Sequence, residues 1–185
     1  MKKLLLALAL LLSASAYAQE KDITKFLGIP IDGTKSEMIA KLKEKGFVHS
    51  NSYNDDLKGE FNGQSVIVGC VTNNNKVYRV AVFDANYCSE ENIKIRFNRL
   101  CNQFENNQRY AKASEINFRL SEKEDISYEI TVHKKRYEAA YYQKTPEGGI
   151  GYHKSVWFMI DNNYGQYRIL MFYDNLLNQA NGEDL

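Results

Sequence analysis

The chain has 185 residues, with 24 basic and 23 acidic side chains interspersed along it. That near-neutral balance, with no basic stripe, gives no electrostatic reason to expect nucleic acid or an anionic membrane as a partner. Three cysteines, Cys70, Cys88 and Cys101, allow at most one internal disulfide.

The first residues run from a basic start (Lys2, Lys3) through an apolar stretch, Leu4 to Leu12, to the small residues Ser13 to Ala18. This is the order of a secretory signal peptide, and Ala16-Tyr17-Ala18 supplies the small-x-small pattern for cleavage between Ala18 and Gln19. The apolar run is well short of the roughly 20 residues that cross a bilayer. No cysteine stands at the cleavage site for lipid attachment, and the later apolar stretches have strand lengths. The expectation is a signal peptide over 1–18 and a periplasmic or secreted chain over 19–185, mostly β, without membrane insertion. It reads as a single domain.

After the cleavage site, Ile23 to Leu27 reads as a short helical turn and Gly28 to Gly33 as a connector. Thr34 or Ser36 then caps a helix whose Met38, Ile39, Leu42 and Lys45 share one face, and Gly46 stops it. From Phe47 the period becomes that of strands. Leu57 to Phe61 and Gln64 to Thr72 flank Asn62-Gly63, a strong hairpin signal because both turn positions need positive φ. Asn73 to Asn75 turn the chain into Lys76 to Phe83.

Helical spacing returns over Ser89 to Asn107, with Ile93, Phe97, Leu100, Cys101 and Phe104 on one stripe and Ser89 as N-cap. Cys88 and Cys101 then lie about 20 Å apart along that helix, too far to bridge. Any pair must involve Cys70, and Cys70 and Cys101 read best as reduced core residues. Strands are expected next at Glu115 to Leu120, Ile126 to His133, Arg136 to Gln143, Val156 to Asp161 and Tyr167 to Tyr173.

Two stretches match at a constant offset of 89. Val66 to Asn74 leads to Tyr78-Arg79 and a strand ending at Phe83; Ser155 to Asn163 leads to Tyr167-Arg168 and a strand ending at Phe172. An apolar strand, an Asn-Asn turn and a Tyr-Arg strand thus occur twice, each after one helix. The expected fold is α+β, with two tandem helix-plus-antiparallel-meander units forming one continuous antiparallel sheet with helices on one face. The units cover about 23–88 and about 89–175, followed by a short polar tail, 176–185.

No local motif carries catalysis. His49, His133 and His153 form no metal-spaced pair, no Cys-x-x-Cys occurs, and no serine sits in a Gly-x-Ser-x-Gly elbow. Neither a cofactor nor a metal is therefore expected. Gly148, Gly149 and Gly151 precede a strand rather than a helix, so they read as a loop and not a phosphate cradle. Asp161-Asn162-Asn163 reads as a turn rather than a calcium site.

Aromatic content is high, with 13 tyrosines, nine phenylalanines and one tryptophan. Tyr137, Tyr141, Tyr142, Trp157 and Tyr167 fall in the last strands and are the candidate binding residues, since a sheet covered on one face leaves the other free for rigid aromatic contacts. The competing reading is that they pair across strands and stabilise the sheet.

The helix-meander-helix-meander order with a duplicated core resembles the fold of the β-lactamase inhibitor protein and its relatives. That resemblance implies two α/β units sharing one sheet whose concave face meets a partner. The leader ending Ala16-Tyr17-Ala18-Gln19 and the stretch Phe26-Leu27-Gly28-Ile29-Pro30-Ile31-Asp32-Gly33-Thr34 are also similar to small secreted proteins of Bacteroides-type bacteria. The expectation is a non-enzymatic binding module for a protein or cell-envelope component. The alternatives are a small secreted hydrolase, its site assembled from distant residues such as His133 or His153, and an envelope assembly or structural protein.

Overall fold

The computed structural model describes residues 22–50, 55–116, 118–180 and 182. The expected signal peptide and its cleavage site between Ala18 and Gln19 lie outside the described residues, as do 181 and 183–185 of the expected tail. The fold is α+β. In chain order come β1 (Lys25–Phe26), β2 (Ile29–Pro30), α1 (Lys35–Glu44), β3 (Val48–His49), β4 (Leu57–Phe61), β5 (Gln64–Asn73) and β6 (Lys76–Asp84). Then follow α2 (Glu90–Glu105), β7 (Tyr110–Lys112), α3 (Ile126–Thr131), β8 (Glu138–Lys144), β9 (Ile150–Asn163), β10 (Gln166–Asn175) and a 3₁₀ turn, Leu176–Asn178. Strands β1 and β2 form a small hairpin, and the rest form one antiparallel sheet in the order β3-β4-β5-β6-β10-β9-β8-β7.

Local chemistry accounts for the two longer helices. Thr34 caps α1 through a capping box: its side chain accepts from the Glu37 N–H, while the Glu37 carboxylate accepts from the Thr34 N–H. The Thr34 N–H and hydroxyl hold the Glu37 carboxyl below its ordinary titration range. Met38 and Leu42 are buried, Ile39 is half-buried, and Lys45 stays in solvent. Gly46 follows at φ +94°, the left-handed conformation that ends a helix. Ser89 caps α2, and all five residues of its apolar stripe are buried. Helix α1 packs on β5 and β6, and α2 on β10 and β7. Arg96 of α2 donates two hydrogen bonds to the buried Asp84 carboxylate at 2.5 and 2.6 Å, pinning the helix to the end of β6.

Three segments differ from expectation. Ile23 to Leu27 is not helical: Leu27 (φ 51°) and Gly28 (φ 80°) turn β1 into β2, which brings Phe26 and Ile29 into the core together. Ile126–Thr131 is a helix, started by Asp125 accepting from the Tyr128 N–H at 2.8 Å; of its side chains only Ile126 is buried. The described part of Glu115 to Leu120 belongs to no strand. There the Asn98 carboxamide bonds both the N–H and the carbonyl of Leu120, at 2.8 and 2.9 Å, and so replaces a neighbouring strand. The edge of the sheet is instead β7, paired with β8.

The repeated stretches also differ in detail. At the centre, Val82 pairs with Met171, flanked by Phe83 with Leu170 and Ala81 with Phe172, so the β6–β10 pairing maps onto itself at the offset of 89. Strands β5 and β9 do not follow. Val66 and Val68 face the core, whereas Ser155 and Trp157, 89 residues later, face away from it and Val156 and Phe158 are buried. The slip arises at Tyr78. Thr72 pairs with Val77 and Val71 with Arg79, leaving Tyr78 as an extra residue, and an extra residue exchanges the faces beyond it. Tyr78 and Tyr167 are therefore not equivalent, although Arg79 and Arg168 are. Nor is the last turn Asn-Asn: Asn163 pairs with Gln166, and Tyr164 and Gly165 make the turn at φ 51° and 80°.

Candidate binding face of the sheet

Strand alternation divides the apolar residues of the sheet between two surfaces. One meets the helices through Val80, Val82, Phe158, Ile169 and Met171, all buried. The other presents Arg79 and Phe83 on β6, Arg168, Leu170, Phe172 and Asp174 on β10, Trp157, Met159 and Asp161 on β9, and Ala140 and Tyr142 on β8. The rings form a band. Trp157 stacks on Phe172 with centroids 4.3 Å apart, and Phe172 meets Phe83 edge-on at 6.3 Å. Tyr142 packs against the exposed Tyr152 at 5.4 Å, adding a second aromatic pair toward the β8–β9 end.

Two ion pairs fix this band. Asp174, its side chain only 4 % exposed, accepts from Arg79 Nε and Nη2 at 2.6 and 2.8 Å and from Trp157 Nε1 at 3.0 Å. That locks the indole and lays the Arg79 guanidinium 4.9 Å from the Phe172 centroid and 5.6 Å from that of Trp157. The Asp174 carboxylate in turn raises the Arg79 pKa. Arg168 pairs with Asp161 at 2.8 Å and lies over Tyr87 (4.7 Å) and Phe83 (5.8 Å). Planar guanidinium groups stack on rings while keeping their in-plane N–H groups for carboxylates, so each arginine does both.

Of the five expected aromatic residues, Trp157 and Tyr142 lie on this face, both half-buried. Tyr137, Tyr141 and Tyr167 do not: they point to the covered side and are 5 %, 0 % and 1 % exposed. Tyr141 stacks on Phe104 at 4.6 Å, and burial, with the Cys101 thiol alongside, pushes its titration far up. Tyr137 is also pushed up, first by burial and then by donating its hydroxyl to Glu124 at 2.6 Å. These three are core and cross-strand residues. Sequence reasoning missed Arg79, Asp174, Arg168, Asp161, Phe83 and Phe172 as a group. A signal existed in the repeat, which places Arg79 with Arg168 and Phe83 with Phe172 at one spacing.

The histidines of the hydrolase alternative stand apart: His133, past the end of α3, bonds Glu129 at 3.0 Å, while His153 on β9 bonds the Asp22 carbonyl at 2.6 Å. Among the described residues no three His, Cys, Asp or Glu side chains gather closely enough to hold a metal ion, and none of the helices is long and apolar enough to cross a membrane. Compared with known proteins, the chain matches no family model, no curated protein and no solved structure.

Proposed function

We propose that the chain is an exported binding module, without chemistry of its own, that holds a protein or cell-envelope component on the helix-free face of its sheet. The observation that carries this reading is the band Trp157–Phe172–Phe83, which the helices leave uncovered. Scattered exposed rings are ordinary in folded proteins, whereas rings gathered in one contiguous patch on an uncovered face suggest an interface. Asp174 and Asp161 neutralise the two arginines beside the band, so the face is near-neutral and already rigid, and binding there costs little ordering entropy.

The face is best read as the centre of two helix-plus-four-strand units related by a two-fold axis through the Val82–Met171 pair. Support comes from the element order, from the self-matching β6–β10 register and from crossed contacts: Arg79 lies on Phe172, and Arg168 on Phe83. This is the arrangement that the resemblance to the β-lactamase inhibitor fold implies.

The test is capture from envelope extracts by the native protein and by Trp157→Ala and Phe83→Ala variants, with a thermal melt of each. Central aromatic truncation should weaken capture by at least about 2 kcal/mol while the melt moves by only a few degrees. Variants that hold the partner as well as the native protein, or lose it only in step with folding, refute the reading. Export is checked by the mass of protein recovered outside the cytoplasm, which should begin at Gln19 rather than Met1.

A further inference from the structure

We infer that the helix-covered side carries a second site, a cationic groove that takes an extended acidic peptide segment of a partner protein. The groove has a volume of about 1470 Å³ and runs between the end of α2, the β1–β2 hairpin, the β4–β5 turn and the β8–β9 loop. Sites for compact small ligands measure roughly 300–1,000 Å³. This one has room for a chain.

Its charge is one-sided. Arg99 on α2, Arg109 before β7 and Lys144 at the end of β8 line it, and Glu60 stands against them. Lys154 and Asp22 also line it but cancel each other, because the buried Lys154 ammonium donates to the Asp22 carboxylate and to the Lys144 carbonyl. Among the described residues, Arg99, Arg109 and Lys144 join no ion pair; Arg109 Nε reaches only Asn107 Oδ1, at 3.5 Å. Neighbouring cations are neutralised: Arg96 by Asp84, Lys94 by Glu90, and both Lys112 and Arg119 by Glu105. Three cations without an ion-pair partner thus share one groove, and the complementary occupant is an anion.

The remaining lining selects the kind of anion. The exposed carboxamides of Asn106 and Gln108 carry the donors and acceptors that a peptide backbone needs. Guanidinium groups match carboxylates in forked geometry. An acidic peptide supplies carboxylates for the guanidinium groups and backbone N–H and C=O groups for the carboxamides together.

The experiment is fluorescence anisotropy of a labelled oligoglutamate against the purified protein, with an oligoglutamine of equal length as control. Polygalacturonate and phosphatidylglycerol vesicles serve as competitors. The glutamate peptide should bind, more weakly as salt rises, and the glutamine peptide should not. Arg99→Glu combined with Arg109→Glu should weaken binding at least about tenfold. Both side chains are exposed, so the melt should stay native. Trp157→Ala on the opposite face should leave this binding unchanged, which separates failure here from failure of the sheet-face reading. The inference is overturned by no glutamate binding at millimolar peptide, by equal binding of glutamine, by charge reversal without effect, or by the glycan or the vesicles outcompeting the peptide.

Discussion

Replacing Asp174 with alanine removes three hydrogen bonds at once, two from Arg79 and one from Trp157. Removing one partner of a fully buried ion pair costs about 3–5 kcal/mol, because the other charge is left unpaired. Arg79 keeps a quarter of its side chain in water (25 % exposed), which partly rehydrates it and brings the expected loss to about 2–3 kcal/mol. Urea unfolding measures this directly. Trp157 is the chain's only tryptophan, so its emission reports on the face itself. Once the indole N–H loses its acceptor and the stack on Phe172 loosens, native emission should shift to longer wavelength. Asp174→Asn keeps an acceptor oxygen without the charge and should fall between the alanine variant and the native protein. A loss under about 0.5 kcal/mol with unshifted emission would show that Asp174 does not organise the band.

Phe97 is fully buried and meets Phe158 at 5.1 Å, so Phe97→Ala should cost about 3–5 kcal/mol by urea midpoint analysis. A cost under about 1 kcal/mol would mean that α2 does not seat this face on the sheet. Burial pushes the thiols of Cys70 and Cys101 up to about 11, so both should react slowly with a disulfide reagent at mildly alkaline pH. Because the folded state favours the neutral thiol, their contribution is full below the ordinary value of 9.0 and is lost as pH rises toward about 11. The urea midpoint should fall across that window, and should fall less in a Cys70→Ala, Cys101→Ala variant.

Helices α1 and α2 and the Asn62-Gly63 hairpin were legible in the sequence because each is decided within a few residues. A capping side chain, a stripe at helical spacing and a turn that requires positive φ all act locally. Helix α3 was not legible, since it has a single buried side chain and an apolar composition that suits a strand equally well. Nor was the facing of the late tyrosines. In β8, Tyr141 and Tyr142 are adjacent, and either phase offers an aromatic ring to the core. Only pairing with β9 chooses between them, burying Tyr141 and turning Tyr142 outward.

The candidate face shows the same division. Its parts recur at a visible spacing in the sequence, yet Arg79 and Asp174 lie 95 positions apart and meet only because β6 pairs with β10. The extra residue at Tyr78 then decides which half of each later match faces solvent. Side-chain facing in a strand alternates residue by residue, so a single insertion reverses it, and that phase is set by partner strands distant in the chain. Composition and local periodicity determined which segments fold and where they turn. Long-range pairing decided which residues are surface.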